Sequence, residues 1–426
     1  MRRPTFSGIR NRIHESTLAE RLGPGLITGA ADDDPSGIAT YSQAGAAFGY
    51  GLAWSMLLTY PLMCAIQLVS ARVGRVTGKG LAANLGARLP VWLMTILLVG
   101  LFGANTINIG ADFAAMGAAA RLAIGANERI MAVIFAVVSL LLQLFIPYQR
   151  YANVLKWLTL TLLAYVALVF VVKVDWPAFA KGLFLPTLDG KRAISTVVAV
   201  FGTTISPYLF FWQSSQEVEE TEQDDEVEPL LDRPEQSQEV LRGIRIDTFI
   251  GMAASNIVGL AIIVATAATL HANGKTSIST ASDAASALRP VAGDFAFVLF
   301  SLGIVGTGLL AVPVLAGSAA YAIGEARGWK TGLDEKPWQA VGFYGAIGAA
   351  TLFGFAMSFT SIDPMKQLFF SAIINGVIAA PIMAAMMWIA TSRDTMGEFV
   401  APTALRIFGL AATLIMAVAS IALLAT

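Results

Sequence analysis

Long apolar stretches separated by short polar connections dominate the pattern along this chain of 426 residues. A helix that crosses a bilayer needs about 20 consecutive, mostly apolar residues. Eleven stretches approach that length, at about 24–46, 51–73, 91–120, 129–147, 153–174, 194–214, 246–270, 294–321, 338–359, 367–390 and 403–425. The pattern predicts an all-α integral membrane protein with about 11 transmembrane helices. The stretches are far longer than the roughly 10-residue alternating strands of a membrane β-barrel.

Two of these stretches are interrupted by proline near their centre. Pro35 follows Asp34 in the first stretch, and Pro207 follows Ser206 in the sixth. Proline removes a backbone donor and clashes with the preceding turn, so each stretch is predicted to form two half-helices. Spans one to five and six to ten then form two halves with equal numbers of helices. An odd number of spans per half inverts the second half, which is the layout of inverted repeats with a binding site at the breaks.

Composition supports a membrane protein and excludes several classes of function. The chain is 56% hydrophobic and 13% charged, whereas ordinary soluble domains are about 25% charged. A single cysteine, Cys64, excludes an intramolecular disulfide, and we interpret it as a core residue. His14 and His271 both lie outside the spans, so no histidine-rich relay is expected. We find no catalytic motif, no cofactor motif and no basic block of the kind that binds nucleic acid, and we predict neither enzymatic activity, a cofactor nor a nucleic-acid partner.

The distribution of lysine and arginine predicts the orientation of the chain. Connections on the side of the N-terminus carry about 19 of the 28 basic residues, which by the positive-inside rule places the N-terminus in the cytoplasm and the C-terminus outside. The predicted organisation, in a multi-pass plasma (inner) membrane protein, is a tail at 1–22, a first repeat at 23–174, a second repeat at 194–390 and a last helix at 403–425. The acidic stretch 214–240 is predicted to be a solvated cytoplasmic loop; a cation-attracting mouth or a metal-sensing loop is the alternative.

The acidic residues before Pro35 are the first candidate site. A carboxylate inside a membrane is costly enough to indicate a function, and Asp34 lies beside backbone groups freed by the break. We interpret it as the anionic ligand of a cation, although capping of the second half-helix is a compatible alternative role. Asp32 and Asp33 point away from Asp34 at helical spacing. Asp33 is predicted to line the path into the site, with a protonated or Asn/Ser-paired side chain as the alternative.

The text "GPGLITGAADDDPSGIATYSQAGAAFGYG" and the text "FGTTISPYLFFWQSS" resemble helices one and six of the NRAMP family of divalent metal-ion transporters. The resemblance implies the LeuT-type fold, with two inverted five-helix repeats, broken helices 1 and 6, and a metal site between the breaks. On the family pattern the metal contacts fall on Asp34, Gly37, Thr203 and Ser206. Gly37 and Ser206 stand where the family has asparagine and methionine.

These two departures change the expected chemistry. A thioether favours soft transition metals and oxygen favours magnesium and manganese, so an oxygen-only, roomier site suits a partly hydrated ion. The family's proton-coupling positions also differ, because its helix-six histidines fall on Tyr208 and Gln213 and a helix-three glutamate falls on Ala115, while the helix-three aspartate is kept at Asp112. The chain is similar in this to the NRAMP-related magnesium transporter branch.

The resemblance therefore implies uptake of Mg²⁺ and Mn²⁺ by alternating access without proton coupling. The alternative is a proton-coupled manganese or iron importer in which Asp112 alone takes up and releases the proton. A carrier of amino acids or other organic substrates is a third possibility. Asp112 is otherwise interpreted as a buried acid bonded to Asn105, Thr106 or Asn108. Asn375 either faces the site or links two helices. The expected partners are divalent metal ions and the lipid bilayer; one protomer suffices for transport, and the oligomeric state is open.

Overall fold

A computed structural model describes residues 28–29, 31–146, 157, 160–188, 190–223 and 227–425. Over these ranges the regular secondary structure is helical, without strands. The α-helices are α1 Pro35–Phe48, α2 Ala53–Thr77, α3 Leu81–Gly86, α4 Val91–Ile124, α5 Glu128–Phe145, α6 Leu163–Val171, α7 Trp176–Phe184, α8 Gly190–Thr204, α9 Pro207–Gln223, α10 Ser237–Thr269, α11 Ala281–Ala285, α12 Arg289–Ala292, α13 Ala296–Arg327, α14 Val341–Met357, α15 Pro364–Thr391, α16 Arg393–Met396 and α17 Thr403–Ala425. Residues 1–22, including His14, lie outside the described ranges.

The helices occupy the predicted membrane segments. Eight helical stretches are long and apolar enough to cross a membrane: Ala53–Thr77, Val91–Ile124, Glu128–Phe145, Gly190–Glu222, Pro234–Asn273, Ala296–Arg327, Pro364–Thr391 and Thr403–Ala425. Leu160–Val171 and Val341–Met357 are shorter apolar helices. Together with the helical residues 28–29 and 31–32 and α1, they occupy the other three predicted segments. The prediction of an all-helical membrane protein is confirmed.

Both predicted breaks are present, and in each case proline starts the second half-helix. Asp34 has an extended backbone (φ −67°, ψ 169°) and caps α1, which begins at Pro35. In the sixth span α8 ends at Thr204 and α9 begins at Pro207. Proline suits the first helical position, because its missing N–H has no intrahelical partner there in any case. Each of the two spans is thus interrupted, and its second half-helix begins directly at a proline.

Glycine allows the broken helices to approach their neighbours at backbone distance. A Cβ on Gly45 of α1 would lie 2.3 Å from the Ile263 carbonyl oxygen of α10. A Cβ on Gly202 of α8 would lie 2.0 Å from the Ala372 carbonyl oxygen of α15. Any larger residue would push these helices apart, so the two glycines fix how close the elements around the breaks can pack. Cys64 is buried and unpaired, as predicted.

The last helix, α17, is buried along one side and exposed over the rest of its surface. The buried residues of α17 form one narrow stripe, Gly409, Ala412, Met416 and Ser420. Leu414 and Ile421 on the rest of the helix are 65% and 66% exposed. A helix that is apolar all round and buried on a single stripe suits a position between the protein and hydrocarbon.

The acidic stretch after the sixth span differs from its prediction. Helix α9 continues to Gln223, and Glu217 within it is only 2% exposed. Farther on, Leu230 is fully buried, and its backbone N–H donates to the Arg75 carbonyl oxygen at 3.2 Å. The prediction of a solvated loop beginning at residue 214 is therefore wrong for 214–223 and for Leu230. Amino-acid composition shows that this stretch is rich in charged residues, but it does not show that one face of α9 packs against α2.

Candidate metal site at the broken helices

Asp34 is the centre of a buried polar cluster at the first break. Its side chain is 1% exposed. Its Oδ1 accepts hydrogen bonds from the Ser36 hydroxyl at 2.6 Å and from the Gly37 backbone N–H at 2.8 Å. Its Oδ2 accepts one from Asn108 Nδ2 at 2.9 Å. The bond from Gly37 is the predicted helix cap, so Asp34 has the capping role in addition to any role as a ligand.

Asn108 reaches Asp34 from the middle of α4 and is itself held from α15. The Ser371 hydroxyl donates to Asn108 Oδ1 at 2.6 Å. Both Asn108 and Ser371 are buried, at 0% and 1% exposure. A chain of side chains from three different helices therefore fixes the carboxylate of Asp34.

The sixth span contributes oxygen atoms next to this carboxylate. The Ser36 hydroxyl lies 3.2 Å from the Thr203 hydroxyl, which joins the two breaks directly. The Ser206 hydroxyl donates to the carbonyl oxygens of Gly202 at 2.7 Å and Thr203 at 2.9 Å. Each carbonyl oxygen has a second lone pair, so Ser206 closes the end of α8 without using all the acceptor capacity of Thr203. The four residues predicted as metal contacts are thus gathered around the two breaks.

Gly37 does not leave an empty space in this conformation. A Cβ placed there would lie 3.3 Å from both the Thr203 hydroxyl and Cε2 of Tyr41. Even a Cβ at position 37 would therefore be in tight contact with Thr203 and Tyr41. The absence of a side chain at Gly37 leaves no gap between these neighbours and the helix.

Asp32 and Asp33 share one partner on α10. The Ser255 hydroxyl lies 2.6 Å from Asp32 Oδ2 and 3.0 Å from Asp33 Oδ1. Asp32 is fully buried and Asp33 is 8% exposed. This is the serine-paired arrangement that the sequence left as an alternative, and it is separate from the donors around Asp34. A role of Asp33 along the path into the site stays a prediction.

Two further predicted residues have polar atoms without hydrogen bonds. Among the described residues, neither carboxylate oxygen of Asp112 and neither amide atom of Asn375 has a partner. Both side chains are fully buried. The alternative in which Asp112 is bonded to Asn105, Thr106 or Asn108 is therefore wrong. Asn375 lies one helical turn after Ser371 on α15 and so on the same face, but it makes no side-chain link to another described helix.

Tyr208 and Gln213 connect α9 to the first half of the first span. The Tyr208 hydroxyl donates to the Ala31 carbonyl oxygen at 3.2 Å. The Thr28 hydroxyl donates to Gln213 Oε1 at 2.6 Å, and Gln213 Nε2 donates to Glu217 Oε1 at 3.2 Å. These bonds hold the helical residues before the break against α9.

No group of three or more His, Cys, Asp or Glu side chains within the described ranges is placed to hold a metal ion. The cluster at the breaks instead combines the carboxylate of Asp34 with hydroxyl and carbonyl oxygens. Hard cations such as Mg²⁺ bind such oxygens while keeping several waters. Sequence reasoning missed Ser36, Ser371 and the contact of Asn108 with Asp34. The available signal was the position of Asn108, which lies four residues before Asp112 in an apolar helix and hence on the same face.

Comparisons with known proteins show which family the chain belongs to. The family described as "Natural resistance-associated macrophage protein-like" matches residues 25–426. A protein named divalent metal cation transporter MntH from Pectobacterium carotovorum is 29% identical over 313 residues, which cover 70% of each chain. The protein of the same name from Yersinia enterocolitica is 29% identical over 301 residues, or 68% of each chain.

Among solved structures, a manganese transporter from Eremococcus coleocola, in complex with an aromatic bis-isothiourea compound, aligns with a TM-score of 0.74 at 16% identity. The alignment covers 99% of this chain and 88% of that one. A nucleobase-cation-symport-1 family transporter aligns with a TM-score of 0.54 at 14% identity, over 94% of this chain and 92% of that one. The fold is the LeuT type, with two inverted five-helix repeats and broken first and sixth helices. With the family signature running from residue 25 to the last residue, this chain belongs to the NRAMP family.

Proposed function

We propose that this chain transports divalent metal ions across the membrane by alternating access around Asp34, with Mg²⁺ and Mn²⁺ as cargo and without coupling to protons. The observation that carries the proposal is the position of Asp34. Its carboxylate lies at one helix break, and Ser36 beside it contacts Thr203 at the other break. Family membership and the names of the relatives support divalent metal ions as the substrate class.

The proposed ligands are Asp34, Thr203 and Ser206, with Gly37 shaping the site. The carboxylate, the Thr203 carbonyl and the Ser206 hydroxyl all offer oxygen, which suits Mg²⁺ and Mn²⁺ better than soft metals. Asn375 is the further candidate, because its buried amide has no partner among the described residues. Asp33 is proposed to line the path, and Tyr208 to hold the inner half-helix.

A proton-coupled manganese importer is the second candidate function, and two observations favour it. The relatives are named divalent metal cation transporter and manganese transporter. Asp112 is an acidic residue in helix α4, and its carboxylate oxygens have no hydrogen-bond partner among the described residues. Such an acid is available to take up and release a proton.

We further propose a plasma-membrane location with the N-terminus in the cytoplasm, as the distribution of basic residues predicts. A negative-inside potential then drives a divalent cation inward by about 4.6 kcal/mol per 100 mV, twice the value for one charge. Accumulation of the ion requires no proton gradient under these conditions.

The test is transport by the purified protein in liposomes. One dye inside the vesicles reports Mg²⁺ or Mn²⁺, and a second dye reports internal pH, with and without an imposed pH gradient. Uptake of Mg²⁺ at constant internal pH is expected, and Asp34→Ala is expected to abolish it. Uptake of Mn²⁺ alone together with acidification would instead establish the proton-coupled alternative. Unchanged uptake by folded Asp34→Ala protein would refute both.

A further inference from the structure

The hydrogen bonds to Asp34 occupy most of its acceptor capacity. An ionised carboxylate has about four acceptor positions on its two oxygens. The Ser36 hydroxyl and the Gly37 N–H donate to Oδ1, Asn108 donates to Oδ2, and the Ser36 backbone N–H also bonds to the carboxylate. Because Oδ1 already accepts two donors, a cation binds through Oδ2 unless one of the bonds to Oδ1 breaks.

Asn108 donates to Oδ2, the carboxylate oxygen that the Ser36 hydroxyl and the Gly37 N–H leave open. Its amide has one workable orientation when Asp34 is charged, because turning the amide over would point its oxygen at the carboxylate. Ser371 supports this orientation by donating to Asn108 Oδ1 at 2.6 Å. The Ser371 hydroxyl also lies 2.8 Å from the Leu368 carbonyl oxygen, so its position is fixed by its own helix as well.

We infer that Asn108, supported by Ser371, is a positioning residue that makes Asp34 a one-oxygen ligand and thereby sets the selectivity of transport against Ca²⁺. The inference rests on the proposed function and adds to it a residue and a direction of selectivity. With Oδ1 held by two donors and Oδ2 held by Asn108, the carboxylate cannot rotate to present both oxygens to one ion.

The consequence follows from how the two ions bind carboxylates. Ca²⁺ takes 6–8 oxygen ligands and readily uses both oxygens of one carboxylate, whereas Mg²⁺ binds one oxygen in an octahedral shell with several waters. When only one carboxylate oxygen is available, Ca²⁺ therefore loses one of its ligands, whereas Mg²⁺ loses none. Removing Asn108 releases Oδ2 and lets the carboxylate turn. The Ser36 hydroxyl can then donate to the Thr203 hydroxyl, 3.2 Å away, instead of to Oδ1, so that Ca²⁺ can bind both oxygens.

Asn105 provides a matched control on the same helix. It lies one turn before Asn108 and is equally buried. Its Nδ2 donates to the Leu315 carbonyl oxygen at 2.8 Å and to the Ser318 hydroxyl at 2.9 Å, both on α13. Asn105→Ala thus removes a buried amide from α4 without touching Asp34.

The experiment measures the initial rates of Mg²⁺ and Ca²⁺ uptake by proteoliposomes over a range of concentrations, for wild type, Asn108→Ala, Ser371→Ala and Asn105→Ala. The readout is the ratio of kcat/KM for Mg²⁺ to kcat/KM for Ca²⁺. Asn108→Ala is expected to lower this ratio about tenfold, the equivalent of one hydrogen bond to a charged group. Ser371→Ala is expected to lower it about threefold, because Asn108 keeps its own bond to Asp34.

A fall in both rates with an unchanged ratio would overturn the inference, because it is the result of a merely structural role. An equal shift of the ratio in Asn105→Ala would overturn it too. If Asn108→Ala does not yield folded protein, Ser371→Ala decides, and an unchanged ratio there refutes the inference. Failure of the proposed function is recognised separately, by wild-type protein that transports neither ion or by transport that survives Asp34→Ala.

Discussion

Replacing Asp34 by serine and by alanine separates its two roles. The side chain caps α1 through Gly37, and it is also the proposed ligand of the cation. Serine is a good helix cap and alanine a poor one, but neither carries a charge. If capping were the sole role of Asp34, the serine variant would keep transport, whereas a ligand role requires both variants to lose it.

The loss of the cap and the loss of the charge have different expected magnitudes. Loss of the cap in Asp34→Ala should lower the free energy of unfolding by about 1 kcal/mol relative to Asp34→Ser. The charge matters more: at an effective dielectric constant of about 20, a unit charge about 4 Å from a divalent ion contributes roughly 8 kcal/mol. If desolvation offsets about half of this, both variants lose about 1,000-fold in affinity for the ion.

The assay combines thermal unfolding in detergent with metal binding by calorimetry and uptake in proteoliposomes. We expect the serine variant to unfold at a higher temperature than the alanine variant, and both to lack binding and uptake at wild-type concentrations of metal. Substantial uptake by Asp34→Ser, with none by Asp34→Ala, would show that the carboxylate acts only as a cap. That result would refute the ligand role.

Three further predictions concern other parts of the molecule. Ser206→Met adds a thioether and removes the hydroxyl that bonds two carbonyls, so uptake of Cd²⁺ should rise relative to Mg²⁺ by about tenfold in competition assays. Gly45→Ala would force a Cβ to 2.3 Å from a carbonyl oxygen of α10 and should lower stability in thermal unfolding by about 1–3 kcal/mol. Gly103→Ala is the control and should not lower it, because an added Cβ there has no neighbour within 4 Å beyond its own stretch of helix. Burial alone would raise the pKa of Asp283, but hydrogen bonds from Lys275 and from backbone amides at the start of α11 outweigh it and lower that pKa below its ordinary value. Since the folded pKa is the lower one, Asp283 stabilises the fold at neutral pH and loses this effect below about pH 4, so the stability deficit of Asp283→Asn in unfolding experiments should disappear at acid pH.

The membrane fold follows from the sequence because two strong signals coincide. Runs of apolar residues mark the spans, and Pro35 and Pro207 mark the breaks, since proline starts rather than continues a membrane helix in both places. The stretch from 214 to 223 was mispredicted for the opposite reason. Charge composition carries no information about which side chains a neighbouring helix covers, and Glu217 is covered.

The sequence predicted the charged residue of the candidate site, Asp34, but not the side chains that donate hydrogen bonds to it. Asp34 stands out because an intramembrane acid has few structural explanations. Its donor Asn108 and the supporting Ser371 are 263 residues apart in the chain, and their contact depends on how α4 packs against α15. Pairing of Asp32 and Asp33 with Ser255 depends in the same way on α10. Such contacts are decided by tertiary packing, which the local pattern of one helix does not contain.

A site with a single charged ligand is what a carrier of divalent cations requires. Calcium-buffering sites bind tightly because several carboxylates surround the ion, and an ion held in that way leaves slowly. Transport needs binding that is favourable enough to select the ion and weak enough to release it on the other side. In the proposed site one carboxylate neutralises half of the ion's charge, and neutral oxygens from Thr203 and Ser206 are the other proposed protein ligands. With one charged ligand, the proposed site is therefore expected to exchange its cargo rapidly, as transport requires.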